Sequence, residues 1–283
     1  MVTRGTMPRP SGHTRTLRPV SSAADLLAEA AAHPTSGWDF SWLGDRMSMS
    51  GVPWDYRAIV EAAIVEGGVA RATRVLDMGT GGGERLAQIS SLPERTVATE
   101  GWAPNVPVAA ARLAPLGIRV VHDEGAVDNV DQVDRPSRGR LAFRNAAFDL
   151  VINRHEAFAA EEVFRVLGSG GRFITQQADS AGGDAGELIG LPPLASRPFD
   201  RSFATAQLEA AGFVVHDGAD AIEAISFSDV GAFAWYLRMV PWAVPAFTID
   251  EHRRALERLH ESGVPIVVRG LRFWLSARKE TRA

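Results

Sequence analysis

Between residues 73 and 178, short apolar runs alternate with stretches of helical pattern, and this alternation constrains the fold more than any other feature of the chain. "TRVLDMG" (73–79) reads as a strand, followed by a glycine turn and a helix, "ERLAQISSL". "RTVATEG" and "IRVVHDEG" are further strands, separated by the helix "NVPVAAARLAPLG". "FDLVINRHEAF" is a fourth strand, "AAEEVFRVLG" the next helix and "GGRFITQQ" a fifth strand. Strands alternating with helices in this way build a parallel sheet covered on both faces. The near-continuous apolar character of the strands agrees, because such strands are buried on both sides. A helix ending at Gly212 leads into a sixth strand, and "TIDEHRRALERLHESG" precedes a last one, "LRFWLSARKE". The expectation is an α/β, Rossmann-like, doubly wound and mostly parallel sheet of seven strands, with helices on both faces.

The flanking segments divide the chain further. Residues 1–21 are rich in Arg, Pro, Ser and Thr and read as a disordered tail. Residues 22–70 are expected to form an N-terminal helical lid. Its first helix, "SAADLLAEAAA" (22–32), has Ser22 as N-cap. Residues 71–283 would be the main domain, with a lid insertion at about 222–248. Aromatic residues crowd both lid segments: Trp38, Phe40, Trp42, Trp54 and Tyr56 in one, Trp235, Tyr236 and Trp242 with Met239 in the other. They are candidates for a cover over a substrate, and at least half are expected in the core. The polar stretch "AVDNVDQVDRPSRGR" (126–140) reads as a surface insertion.

Composition narrows the function classes. The chain of 283 residues has a formal net charge of −4, so it is no general trap for nucleic acid. It has no cysteine, which excludes disulfides, thiolate metal sites and cysteine nucleophiles. No apolar run reaches the roughly 18 residues of a membrane span. His122, His216, His252 and His260 lack metal-ligand spacing, and Asp123-Glu124 reads as a solvated strand end. No metal, no membrane and a cytoplasmic location are expected.

The glycine turn after the first strand lies where open parallel sheets bind ligands. A triphosphate loop needs a Lys after the glycines, and none is present in "VLDMGTGGGE". A dinucleotide loop needs glycine where Glu84 stands, and that carboxylate would oppose a pyrophosphate. A cationic adenosine derivative without phosphates fits better. Asp77 can balance an ammonium. Glu100, at the end of the second strand, can accept hydrogen bonds from both ribose hydroxyls.

The stretches "VLDMGTGGGE", "VATEGWAPNV", "AFDLVINRHEAF" and "EEVFRVLGSGGRFITQQ" resemble the class I methyltransferases that use S-adenosylmethionine (SAM). "TGGGE", "RHE", "TQQ", "DFSWL" and "WYLRMVPW" are similar to a bacterial small-molecule subgroup that includes tailoring enzymes of antibiotic pathways. The resemblance implies that Asp77, Gly79, Thr80, Gly81 and Gly83 line the methionine and ribose of SAM. Glu100 would hold the ribose, with Gly101 and Trp102 against adenine. Asn153, Arg154 and His155 would face the methionine end. The Asp that the family commonly sets against the adenine amino group is missing from "SRGRLAF", and the backbone near Ala126 would replace it. His155 and Glu156 are the candidate catalytic groups.

The expected activity is therefore methyl transfer from SAM to nitrogen, less readily oxygen, of a small secondary metabolite. The protein would act as a monomer or homodimer. Two alternatives stay open: an NAD(P)-dependent oxidoreductase, and a SAM-binding module that modifies RNA or has no catalysis.

Overall fold

The structure, a computed structural model, describes residues 21–35, 39–66, 73–126, 129, 139–178, 183–193 and 199–280. Trp38, all but the last residue of the expected tail (1–21) and most of the 126–140 insertion lie outside the described residues. The helices are α1 (Ala23–Ala32), α2 (Tyr56–Glu66), α3 (Glu84–Ala87), α4 (Val106–Leu113), α5 (Ala160–Val166), α6 (Ala185–Leu188), α7 (Arg201–Ala210), α8 (Val230–Met239) and α9 (Ile249–Ser262). The strands are β1 (Met47–Met49), β2 (Arg74–Met78), β3 (Arg95–Glu100), β4 (Arg119–His122), β5 (Phe148–Arg154), β6 (Leu167–Ala178), β7 (Phe213–Phe227) and β8 (Ile266–Lys279).

One sheet of eight strands runs in the order β1-β7-β8-β6-β5-β2-β3-β4. Strands β4, β3, β2, β5 and β6 are parallel neighbours, and β8 enters antiparallel between β6 and β7. The chain leaves β2 toward β3 and β4, then returns to β5 on the other side. The carboxyl ends of β2 and β5 thus flank a topological switch point, the usual ligand crevice of such sheets.

The sheet has eight strands where seven were expected. The extra one, β1, pairs its three residues with Ile225–Phe227 at the edge of β7. Three residues carry no readable periodicity, and the pairing is made across the whole chain. Helix α3 is also shorter than the nine residues expected: Gln88 N and Ile89 N bond Arg85 O and Leu86 O in a tightened last turn, and the Ser90 N–H and hydroxyl bond Glu61 Oε1 of α2 at 3.2 and 3.1 Å.

Two apolar clusters fill the faces. One joins β5 and β6 to α5 and α7 through Phe158, Phe173 and Leu208. The other joins β2 and β3 to α2 and α4 through Val60, Ile64, Val75 and Leu113. A third cluster unites α1, α8 and α9 with the ends of β7 and β8. It exists because β8 begins at Ile266 and meets the last residue of β6, Ala178, only at Arg272. The β7–β8 hairpin thus overshoots the carboxyl edge of the parallel strands and carries a cap above it. Residues 222–227, grouped with the lid by sequence, belong to β7.

The cap is pinned by polar contacts. Asp229 is the N-cap of α8, accepting from Ala232 N at 2.9 Å, and it holds Arg46 through two hydrogen bonds of 2.9 and 2.7 Å. Arg238 donates to the carbonyls of Ala30 and His33 at the end of α1. At Gly231 a Cβ would stand 2.6 Å from the Leu26 carbonyl oxygen, so only glycine lets α8 approach α1 this closely. Among the described residues no helix is long and apolar enough to cross a membrane.

Candidate active site

The glycine turn follows β2 at the switch point. Gly79, Gly81 and Gly83 all have positive φ, which folds the chain back before α3. Asp77, near the end of β2, is buried, and desolvation raises its pKa to about 7. Thr80 and Arg154 pull that value down and Glu100 pushes it up. The Thr80 hydroxyl oxygen is itself buried without a well-formed hydrogen bond among the described residues.

Glu100 ends β3. Burial raises its pKa, while the N–H groups of Trp102 and Gly81 hold it down, the first donating to Oε1 at 2.8 Å. Trp102 lies exposed at the mouth. Asp123 follows β4 and accepts from Gly125 N at 3.0 Å and Ala142 N at 2.9 Å. It is a partly buried clasp joining β4 to the "LAF" turn, not the solvated strand end expected from sequence. Ala126 is buried beside it, against Gly139.

Adjacent residues diverge at the end of β5. Asn153 is fully enclosed. Its side chain accepts from Thr175 Oγ1 at 2.9 Å and Gln177 Nε2 at 2.6 Å and donates to the Glu156 carbonyl at 3.1 Å. This network forms the floor of the cleft. Tyr56, on α2, donates its hydroxyl to the Asn153 carbonyl at 2.9 Å and accepts from Asn153 N at 3.2 Å. Burial and the nearby Asp77 push its pKa up. Trp54 donates Nε1 to Gln176 Oε1 at 2.8 Å.

His155 has a φ of 62°, rare for a side chain of its size, and its N–H donates to the Gln176 carbonyl at 2.8 Å. The side chain is exposed to solvent, and its Nε2 lies 3.4 Å from Gln176 Nε2. Desolvation by the surrounding chain, with Arg154, Arg272 and Arg85 nearby, lowers its pKa well below 6.5. Glu156 turns the other way. Its side chain lies against Gly79 and Gly125, and burial together with Glu100 and Asp123 raises its pKa to about 7. Of the two candidate catalytic groups, His155 faces the arginines and Glu156 faces the glycine loop.

The aromatic candidates divide. Trp54 and Tyr56 reach the cleft floor. Trp235 is 1% exposed in the cap, with its centroid 5.1 Å from that of Trp42 and 6.1 Å from that of Phe40. Met239 is buried in the same cluster, and Trp242 is exposed. Tyr236 borders the cleft closely enough for Arg272 and Glu223 to act on its pKa. Sequence reasoning gave no role to Arg85, Arg272 or Glu223. The run Thr175-Gln176-Gln177 was noted only as part of a resemblance, although its polarity at a buried strand's carboxyl end marks it as a site element.

No protein-family model matches the chain, and no curated protein matches its sequence. Solved structures do. A candidate methyltransferase from Bacillus halodurans C-125 superposes with a TM-score of 0.52 at 19% identity, covering 78% of this chain and 99% of that one. The YcgJ protein of Bacillus subtilis superposes with a TM-score of 0.51 at 17% identity, covering 80% and 100%. The chain has the Rossmann-like methyltransferase fold. At these identities the likeness is one of fold, and the site must argue the chemistry.

Among the described residues no group of three or more His, Asp or Glu side chains is arranged to hold a metal ion. The fold's usual cofactor, SAM, fits the loop. Asp77, Glu100, Asp123 and Glu156 surround it with negative charge. Thr80 Oγ1 offers an unused polar atom, and a Cβ at Gly81 would meet nothing within 4 Å, so the loop opens onto free space.

Proposed function

We propose that the protein transfers a methyl group from SAM to a nitrogen of a small-molecule acceptor. The observation that carries this reading is the set of carboxylates around the glycine loop. Asp77, Glu100 and Glu156 all have raised pKa values, because burial disfavours their charges, and the charge of Glu100 adds repulsion at Asp77 and Glu156. A cationic ligand relieves that repulsion, whereas the pyrophosphate of a dinucleotide intensifies it. This charge pattern argues against the NAD(P) alternative.

SAM supplies an electrophilic methyl group on a sulfonium. Asp77 would balance its ammonium and Glu100 its ribose hydroxyls. Trp54 and Tyr56, packed on the floor of the cleft, exclude water, and positioning the acceptor near 3 Å supplies much of the rate enhancement. The arginines beside His155 favour its neutral form, and the contact of its Nε2 with Gln176 Nε2 at 3.4 Å orients the ring beside the acceptor. A neutral amine can attack unaided and lose its proton afterwards, whereas a hydroxyl usually requires assistance, which favours nitrogen over oxygen.

The similarity of the "WYLRMVPW" and "DFSWL" segments to tailoring enzymes supports a secondary metabolite as acceptor, and both segments pack together in the cap. Calorimetry with SAM, S-adenosylhomocysteine and NADH tests the cofactor. Binding of NADH in place of both sulfur compounds would overturn the proposal. Labelled methyl transfer to candidate amines and alcohols tests the acceptor atom.

A further inference from the structure

Three guanidinium groups gather around His155. Arg154 is the last residue of β5, Arg272 lies in β8 and Arg85 in the first turn of α3. Register explains why two of them share one face. Arg154 stands opposite Gln176, and Gln176 opposite Trp274. Arg272, two residues before Trp274, points to the same face, because side chains alternate along a strand. Arg272 in turn faces Ala221, and Glu223, two residues on, also shares that face. Strands of different direction and distant sequence thus place Arg154, Gln176, Arg272 and Glu223 at one edge, and Arg85, in α3 after the glycine loop, lies near enough to act on Arg154.

The charges do not cancel. Arg272 Nε lies 2.9 Å from Glu223 Oε2, and both side chains are largely buried. Arg154 is partly buried and makes no side-chain hydrogen bond or ion pair among the described residues, and neither does Arg85. Burial and the proximity of Arg85 and Arg272 lower the pKa of Arg154, and Tyr56 and Glu223 offset this only in part. A guanidinium held away from water without a partner is costly unless a ligand supplies the counter-charge. His155 is exposed, and its Nε2 lies 3.4 Å from Nε2 of Gln176, which shares the face of Arg154 and Arg272.

We infer that Arg154, Arg85 and Arg272 form a binding site for an oxyanion, a carboxylate or phosphate, carried by the methyl acceptor. This inference rests on the methyl-transfer reading. The cofactor's own carboxylate is the competing source of such an anion. It brings one negative charge, already matched by the ammonium beside it. Arg272 is paired with Glu223, and Asp77, which Arg154 also feels, is the acid set against the cofactor's ammonium, so Arg154 and Arg85 together exceed what one carboxylate requires. The acceptor is thus an amino acid-like or phosphorylated amine, its anion anchored on arginine and its nitrogen beside His155.

Calorimetric titration of benzoate and of phenyl phosphate into protein saturated with S-adenosylhomocysteine tests this, on the wild type, Arg154→Gln and Arg85→Gln. One of the two probes is expected to bind the saturated wild type, more weakly as salt is added. Each substitution should weaken it at least about tenfold, the loss of one charge-assisted contact. Arg85 is exposed, so its variant keeps the test open if Arg154→Gln fails to fold. Absence of probe binding to the wild type, or equal binding to both variants, overturns the inference. So does probe binding that vanishes on saturation, since the arginines then serve the cofactor's carboxylate. If the wild type binds no S-adenosylhomocysteine, the methyl-transfer reading fails first, and the acceptor assignment falls with it. Titration of ligand-free protein then shows whether the arginines bind an anion at all.

Discussion

The side chain of Glu156 fills the space in which any side chain at Gly79 would stand. A Cβ on Gly79 would lie 2.5 Å from Glu156 Cβ and 2.7 Å from Oε2, and Gly79 has a φ of +69°. The glycine loop and the turn after β5 are thereby pressed together across the switch point, and the acid is delivered to the loop by that contact.

Substitution Gly79→Ala should therefore do more than strain the backbone. The positive φ alone costs about 1–3 kcal/mol. The clash also forces Glu156 and the loop apart. Calorimetry should show affinity for S-adenosylhomocysteine falling by more than tenfold, together with a lowered unfolding midpoint. Unchanged binding would mean that the loop does not hold the cofactor.

Glu100→Gln keeps an oxygen that can accept from Trp102 N, so the fold should survive. The charge is lost where the ribose hydroxyls are proposed to bind. A charge-assisted hydrogen bond contributes about 1.5–3 kcal/mol, so affinity should fall roughly ten- to hundredfold. A variant binding S-adenosylhomocysteine as tightly as the wild type refutes the ribose contact.

Asp77 and Glu156 have folded-state pKa values of about 7, raised from ordinary values of 3.8 and 4.5. The folded chain thus holds these protons more tightly than the unfolded chain. Their contribution to stability is complete below the ordinary carboxylate range and is lost as pH rises through about 7. Cation binding runs the opposite way, because it needs the ionised acids. Affinity for SAM and for S-adenosylhomocysteine, which share the ammonium set against Asp77, should rise with pH through neutrality. Asp77→Asn should flatten that rise and stabilise the ligand-free protein at pH 8. A wild-type affinity that does not change with pH would refute the electrostatic argument.

Tyr56→Phe removes the hydroxyl that bonds both the N–H and the carbonyl of Asn153. Losing a partner of buried polar groups costs about 1–3 kcal/mol. Urea unfolding should show that loss with an unchanged m-value. A neutral result would place water in the hydroxyl's stead.

Arg46→Met breaks the paired hydrogen bonds to Asp229 and leaves the N-cap carboxylate of α8 without its cation. The expected cost is about 1–3 kcal/mol. Proteolysis should attack the N-terminal segment first, because this contact ties it to the cap.

The parallel half of the fold was legible because each of its parts is local. An apolar strand, a glycine turn and a helix follow one another within a few residues, and Ser22 caps α1 as expected. Asp77, Thr80 and Glu100 were readable for the same reason, since each lies at or just beyond the carboxyl end of an obvious strand. Arg272 and Glu223 were not. Their partners lie on strands distant in sequence, and no motif marks a residue whose role comes from register. The aromatic lid was only half legible: Trp235 and Trp54 look alike in sequence, yet one is enclosed in the cap and the other bonds Gln176.

Sequence by itself determined the layered α/β class, the strand that opens onto the glycine turn and the preference of that turn for a ligand without phosphates, because periodicity and loop chemistry act over neighbouring residues. Tertiary structure alone decided that His155 and Glu156 face opposite sides of the cleft, that Glu156 joins Asp77 and Glu100 in one field, and that three arginines meet at the far end. These outcomes follow from hydrogen-bond register across the sheet and from the turn at His155, and both are fixed only when distant strands pair.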